Sequence, residues 1–250
     1  MLRVAFRVDA FASLGHGHLS RCLTLADALS PLGVEVGFVM RDRSAETAPK
    51  IEGRGHGVVL LPTPPEEDRS GRLGVSRETD AAQTIEALAG EGVHAIVVDH
   101  YELDARWETR VRDATGAVLG VIDGMADRPH DCELLVDPTF STDGRRRWDG
   151  LVPERATRLT GPRHALLAPS FSEARSRLAP RTGVVRRILV CFGGSDPAGA
   201  TEFVIEALRD LEIPLDVVVG GANSRAESIR RRCEEIPEAT CRIDTTDHVL

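Results

Sequence analysis

The 250-residue sequence lacks the cysteine pattern of a disulfide framework or a zinc site. Its cysteines are odd in number, and no two of them form a C-x-x-C pair. Each one lies in an apolar or helical stretch, so we expect small buried hydrophobic side chains in a reducing compartment. The five cysteines are Cys22, Cys132, Cys191, Cys233 and Cys241.

Long apolar runs are also absent. No stretch of about 18 apolar residues occurs, so no segment is expected to span a membrane. Met1 leads directly into a predicted strand that carries Arg3 and Arg7, without the apolar core of a signal peptide. We therefore predict a cytoplasmic protein that has no membrane partner.

The sequence has no excess of positive charge. It holds 31 lysine and arginine residues against 39 aspartate and glutamate residues, a formal net charge of −8. This balance argues against general nucleic-acid binding, and the basic runs at 145–147 and 230–232 are expected to be solvated surface. No D-x-D element suited to a divalent ion is found, so we predict no metal and no cofactor.

Apolar strands alternate with helical patterns along the chain, which is typical of a parallel sheet covered on both faces. We predict one Rossmann-like domain over residues 1–165, a linker over 166–182 and a second β-α-β-α-β unit over 183–250. Within the first domain, we expect a helix over 45–54 and irregular structure over 138–165. The second unit holds only three predicted strands and two helices, so we expect it to be an incomplete domain.

A loop that contains two glycines and two histidines separates the first strand from the first helix. Gly15 and Gly17 allow the backbone to approach a ligand closely, and His18 stands at the mouth of the helix, beside its free N–H groups. The spacing is not the dinucleotide-binding pattern G-x-G-x-x-G. On composition alone, a tight turn explains the loop as well as a ligand site does.

Polar side chains follow several of the predicted strands. Because the carboxyl ends of parallel strands lie on one edge of a sheet, we expect these side chains to converge on one crevice. For Asp123 and Asp137, capping of the next turn or helix is an equal alternative. The polar strand ends are Asp9, Asp99-His100-Tyr101, Asp123 and Asp137.

Three motifs together carry a family resemblance. The string R-x-D followed by G-x-G-H-x-x-R-C-L-x-L-A resembles the N-terminal signature of the UDP-2,4-diacetamido-2,4,6-trideoxy-β-L-altropyranose hydrolases of pseudaminic acid biosynthesis, which are relatives of GT-B glycosyltransferases. Residues 97–101 resemble the IDHY element of that family, and residues 191–196 resemble its GG-[ST]-D loop. The resemblance implies a GT-B-like α/β fold: two Rossmann-like domains with parallel sheets, of which the second is incomplete here.

The resemblance also implies a reaction, which is hydrolysis of a UDP-linked 2,4-diacetamido-2,4,6-trideoxy sugar to UDP and free sugar. His18 would be the general base that activates water, and the partner molecule would be the UDP-sugar. Gly193, Gly194 and Ser195 would bind the diphosphate through backbone N–H groups at the start of a helix. The expected substrate-binding residues are Arg7, Asp9, Gly15, Gly17, Arg21, Asp99, His100, Tyr101, Gly193, Gly194 and Ser195.

Alternatives remain open for single residues and for the whole chain. His18 is otherwise a helix N-cap residue without chemistry, Arg21 is otherwise part of a surface salt bridge, and His16 has no assigned role. The chain is otherwise a GT-B glycosyltransferase that uses a UDP-sugar donor, or an inactive truncated remnant. The sequence leaves the oligomeric state open.

Overall fold

The computed structural model describes residues 1–11, 16–180 and 183–244 of the chain. The chain divides into two compact units, of which unit 1 runs from Met1 to Ala168 and unit 2 from Pro169 to Leu250. The boundary lies inside the segment 166–182 that the sequence indicates as a linker. No helix in the described ranges combines the length and the apolar character that a membrane crossing requires.

Unit 1 is built on a seven-stranded sheet. Its strands are β1 (Leu2–Val8), β2 (Val34–Arg41), β3 (Gly57–Leu61), β4 (Ala95–Asp99), β5 (Val118–Ile122), β6 (Leu134–Asp137) and β7 (Thr157–Thr160). They are all parallel and lie in the order β3-β2-β1-β4-β5-β6-β7. The chain order therefore reverses between β1 and β4, and the carboxyl ends of these two strands form the switch point where such sheets bind ligands.

Four α-helices connect the strands of unit 1, together with short 3-10 turns. They are α1 (Gly17–Leu29), α2 (Ala48–Glu52), α3 (Arg77–Leu88) and α4 (Ala105–Thr115). Asp104 caps α4, because its carboxylate accepts hydrogen bonds from the backbone N–H groups of Arg106 and Trp107. The predicted cap is confirmed.

The core of unit 1 lies on both faces of its sheet. On one face, Phe6 stacks on Phe38 at a ring separation of 5.0 Å and the apolar side of α1 covers them. On the other face, α3, α4 and the two tryptophans, Trp107 and Trp148, pack against alternate residues of the same strands. Burial on both faces explains why these strands are nearly continuous apolar runs in the sequence.

One prediction for unit 1 is wrong and another is right only in part. The helix expected over 45–54 is confirmed at α2, but α2 is shorter than expected and follows a 3-10 turn at Asp42–Thr47. The stretch 138–165, expected to be irregular, contains the edge strand β7. β7 has only four residues with a polar T-R-L-T pattern, so its pairing with β6 defines it as a strand, and local periodicity does not.

Unit 2 has a three-stranded parallel sheet in the order β10-β9-β8. Its elements are α5 (Pro169–Arg177), β8 (Ile188–Cys191), α6 (Ala200–Leu208), β9 (Leu215–Val219), α7 (Ala226–Glu234) and β10 (Ala239–Ile243). Val190 is buried while Leu189 and Cys191 are exposed, because neighbouring strand residues face opposite sides. The expectation that all cysteines are buried is therefore wrong for Cys191, and Cys241 is only half-buried.

Candidate functional site

The carboxyl end of β4 and the first turn of α1 bring His18 and Asp99 together. His18 is the second residue of α1, Asp99 is the last residue of β4, and both side chains are buried. His18 Nδ1 lies 2.5 Å from Asp99 Oδ1. Since a carboxylate only accepts, Nδ1 keeps its proton and donates a hydrogen bond to Asp99, and Nε2 of a neutral imidazole then holds a free lone pair. This is the arrangement that a general base requires.

Arg21 lies one turn further along α1 and binds the same carboxylate. Its Nε and Nη2 atoms donate to Asp99 Oδ2 and Oδ1, each at 2.5 Å. Burial acts to raise the pKa of Asp99, but the hydrogen bonds from Arg21 and His18 outweigh burial and lower it. Asp99 is therefore an anion held by two donors. The surface salt bridge considered for Arg21 is instead a bidentate pair with a buried acid.

Tyr101 forms the outer wall beside His18. The two rings pack edge to face with centroids 4.4 Å apart, and the Arg72 guanidinium lies 5.2 Å from the Tyr101 ring. The next residue, Glu102, accepts backbone hydrogen bonds from Arg72 at 3.0 Å and from Leu73 at 2.6 Å. The segment around Arg72 is thus attached beside the site. No sequence motif predicted this contact.

Arg7 and Asp9 lie beneath this group of residues in a buried charge network. Arg7 donates to Asp9 at 2.9 and 3.0 Å and to Asp80 at 3.1 and 2.7 Å. Both side chains are 0% exposed, so in this conformation they contact protein atoms and no ligand reaches them. Asp80 of α3 and Arg41 of β2, which complete the network, were missed because no motif marks either of them.

His100 connects the network to the strand end that carries Asp99. Its Nδ1 accepts a hydrogen bond from the Glu102 N–H at 3.1 Å, so Nε2 carries the proton and lies 3.5 Å from Asp9 Oδ2. Burial lowers the pKa of His100 to about 4 although Asp9 acts in the opposite direction. His100 is therefore a neutral, buried side chain at neutral pH.

The glycine loop before α1 is described only in part. Gly15 lies outside the described residues. Gly17 is the first residue of α1 and is exposed, and a Cβ atom there would meet nothing within 4 Å. Lack of space therefore does not require glycine at position 17, and close approach of a ligand stays a prediction. His16 occupies the N-cap position, without a capping hydrogen bond from its side chain.

The loop of unit 2 with Gly193, Gly194 and Ser195 does not lie at a free helix start. α6 begins at Ala200, and the Asp196 carboxylate accepts the N–H groups of Ala200 and Thr201, each at 2.9 Å. The first donors of α6 are therefore occupied by the chain itself. Any diphosphate contact would have to come from the N–H groups of the loop. Gly193, Gly194 and Ser195 therefore stay the predicted binding residues, but the prediction that they lie at the start of a helix is wrong.

The acids at the carboxyl ends of β5 and β6 form hydrogen bonds and ion pairs with residues near them in the chain. Asp137 accepts hydrogen bonds from the Thr139 N–H and from Trp148 Nε1, both at 2.9 Å, as a turn-capping residue does. Asp123 pairs with Arg128, which also donates to the His100 carbonyl at 3.0 Å. In the described ranges, no three His, Cys, Asp or Glu side chains are grouped as a metal site.

Comparison with known proteins finds distant relatives in sequence and solved structures that share the fold. No family model matches the chain. It is 24% identical over 231 residues to the UDP-2,4-diacetamido-2,4,6-trideoxy-beta-L-altropyranose hydrolase of Campylobacter jejuni, covering 92% of this chain and 74% of that protein. It is 20% identical over 223 residues to an uncharacterized protein of Methanocaldococcus jannaschii, covering 88% of this chain but only 43% of that protein. The chain thus spans less than half the length of this second relative.

A solved structure shows the same architecture. UGT2 of Phytolacca americana, complexed with UDP-2-fluoro-glucose and pterostilbene, matches with a TM-score of 0.60 and 13% identity over 98% of this chain and 72% of that one. The fold is GT-B-like. The predicted fold class is therefore confirmed, and the proteins with which this chain shares sequence or fold include enzymes that act on UDP-sugars.

Proposed function

We propose that the chain belongs to an enzyme that hydrolyses a UDP-linked 2,4-diacetamido-2,4,6-trideoxy sugar to UDP and free sugar. The observation that carries the proposal is the 2.5 Å contact between His18 Nδ1 and Asp99 Oδ1, which leaves Nε2 available as a base. The similarity to the Campylobacter jejuni hydrolase over 92% of the chain supports the choice of substrate. Water is then the nucleophile.

The proposed step transfers one proton, forms one C–O bond and breaks another. His18 Nε2 takes a proton from water while the water oxygen attacks the anomeric carbon. The bond between that carbon and the diphosphate oxygen breaks, and its electron pair leaves with UDP. Asp99 accepts the hydrogen bond from Nδ1 and so holds the imidazole in the required tautomer, as the acid of a catalytic triad does.

Other residues are assigned to binding. Tyr101 packs edge to face with the imidazole and is partly exposed, so it is a candidate wall for the sugar. Backbone N–H groups of Gly193, Gly194 and Ser195 are the candidates for the diphosphate, where they would stabilise the negative charge that develops on the leaving group. A structural role is assigned to three buried residues, which stabilise the carboxyl ends of the strands: Arg7, Asp9 and His100.

The test is release of UDP and free sugar from the altrose-configured UDP-sugar with no acceptor present, using the full-length protein. His18→Ala and Asp99→Asn should each lower kcat by about 10²- to 10⁴-fold, the range for loss of a general base or of its orienting acid. His16→Ala is the matched control, because His16 is exposed and outside this hydrogen-bond system. Near-normal turnover by folded His18→Ala protein would exclude His18 as the base.

A glycosyltransferase is the second candidate, supported by the fold shared with UGT2 of Phytolacca americana. The same pair of residues would then remove a proton from an acceptor hydroxyl instead of water. Sugar release that depends on an added acceptor alcohol or amine would favour the transferase. Release at the same rate without acceptor favours the hydrolase, and no release in either assay counts against both reactions with this UDP-sugar.

A further inference from the structure

Arg21 neutralises the acid on which His18 depends. The guanidinium contacts both carboxylate oxygens of Asp99 through two different nitrogens, the bidentate arrangement that is strongest for this pair. Asp99 is buried, whereas Arg21 remains partly exposed. The two charges therefore cancel locally, and the buried acid presents little net charge to the imidazole.

The same guanidinium also acts on His18 directly. Arg21 Nη2 lies 3.1 Å from His18 Nδ1, so a positive charge stands beside the ring. A nearby cation disfavours a protonated imidazole, and a nearby uncompensated carboxylate favours it. Without Arg21, the imidazole would lie beside an uncompensated carboxylate and would lose the neighbouring cation. Both changes would favour the imidazolium, which cannot accept a proton from water.

The remaining titratable neighbours do not supply this charge. From α1, the Cys22 thiol lies 3.5 Å from Asp99 Oδ2, and burial raises the pKa of Cys22 well above its usual value, so it is neutral. From the loop after β4, the Tyr101 ring packs edge to face with the imidazole. Arg72 lies beyond Tyr101, over the ring of that residue. The four residues at positions 12–15 are Ala, Ser, Leu and Gly, which carry no charge.

We propose that Arg21 is a positioning residue that keeps the His18 imidazole neutral, and thus able to act as a base, by neutralising Asp99. The inference rests on the proposed function for its catalytic meaning. Its physical content concerns only His18, Arg21 and Asp99, which all lie in unit 1. It can therefore be measured without substrate.

The test compares Arg21→Met with Arg21→Lys. Arg21→Met removes the charge and both hydrogen bonds, so the acid limb of the kcat/KM pH profile should move up by about one pH unit or more. At a fixed pH below the limb, that shift is about a tenfold loss of kcat/KM, whereas activity on the alkaline plateau should change far less. Arg21→Lys keeps a charge without the two-pronged contact, so its shift should be smaller.

The substrate-free measurement is a histidine NMR titration of the unliganded protein. The His18 ring signals are assigned by their loss in His18→Gln. We expect the His18 titration midpoint to rise by about one unit or more in Arg21→Met. An unchanged or lower midpoint would overturn the inference, whatever the activity of the variant. If Arg21→Met does not fold, the same titration is made on Arg21→Lys. There the His18 midpoint should rise by at least half of the amount expected for Arg21→Met, and an unchanged or lower midpoint would overturn the inference.

Arg54→Met is a matched control. Arg54 pairs with Asp27, also on α1, and Asp27 lies 3.0 Å from His56 Nε2, so the same three residue types meet away from the site. The variant changes the total charge by the same amount, and neither the pH profile nor the His18 midpoint should move. If the midpoint rises in Arg21→Met but the wild type releases no sugar, the hydrolase proposal fails and the role of Arg21 stands.

Discussion

Asp80 supplies one of the two negative charges that balance two buried arginines in the network beneath the site. Its carboxylate accepts two hydrogen bonds from Arg7, one from Arg41 and one from Trp107 Nε1 at 2.9 Å. Both guanidiniums are fully buried, and the only other carboxylate in contact with Arg7 among the described residues is Asp9. Burial acts to raise the pKa of Asp80, but Arg7 and Arg41 lower it to about 2, so two buried cations are balanced by two anions.

We predict that Asp80→Ala is strongly destabilising. It leaves one uncompensated positive charge in the core, and it removes the acceptor of a buried indole N–H. Removal of one partner of a buried ion pair costs about 3–5 kcal/mol. That is a large part of the roughly 5–15 kcal/mol that stabilises a folded domain.

The assay is urea unfolding followed by tryptophan fluorescence. Both tryptophans of the sequence, Trp107 and Trp148, lie in unit 1, so the signal reports the unit that holds Asp80. For a slope of about 2 kcal/mol per M, the midpoint should fall by about 1.5–2.5 M. Asp149→Ala is the control, because Asp149 pairs with Arg158 at 2.7 Å but is 68% exposed, and it should cost less than about 1 kcal/mol. Equal losses in the two variants would refute the reasoning.

Two further predictions concern a buried histidine and a pair of glycines. Burial acts to lower the pKa of His130, but its carboxylate partners raise it to about 9 from 6.5, so the charged form stabilises the fold below pH 6.5. Unit 1 should lose this stability as pH rises from about 6.5 through 9, and urea unfolding of His130→Gln should lack that part of the pH dependence. A Cβ atom on Gly220 would lie 2.3 Å from Gly194 Cα, so Gly220→Ala should destabilise unit 2 by about 1–3 kcal/mol. Gly194→Ala should cost far less, since its own Cβ would meet nothing within 4 Å; hydrogen–deuterium exchange of β8 and β9 measures both, and equal protection in the two variants would contradict the contact.

Local patterns were sufficient for most of the fold. The strand β1, the strand β9 and the cap at Asp104 follow from apolar runs and from a capping residue before a helical pattern. Such features depend on neighbours within a few residues, so a single sequence contains them. The edge strand β7 was not predicted, because its four mostly polar residues form a strand only through their pairing with β6.

The candidate site was predictable in its residue types and not in its contacts. His18, Arg21 and Asp99 were named from a loop motif and a polar strand end. That Arg21 and His18 share one carboxylate requires a helix and a strand about 80 positions apart to meet. The reassignment of Arg7 and Asp9 from substrate contacts to a buried network likewise depends on Asp80 of α3, which no local signal connects to β1.

For unit 1, the sequence alone determined a parallel α/β sheet covered on both faces, because strands that are apolar on both sides are stable only when helices bury both sides. It also determined that Asp9, Asp99 and Asp123 would lie at strand ends, since each follows an apolar run. Only the tertiary structure decided which ends meet. β1 pairs with β4 so that Val8 lies beside Asp99, and hydrogen bonds between residues that far apart in the chain leave no periodic trace in the sequence.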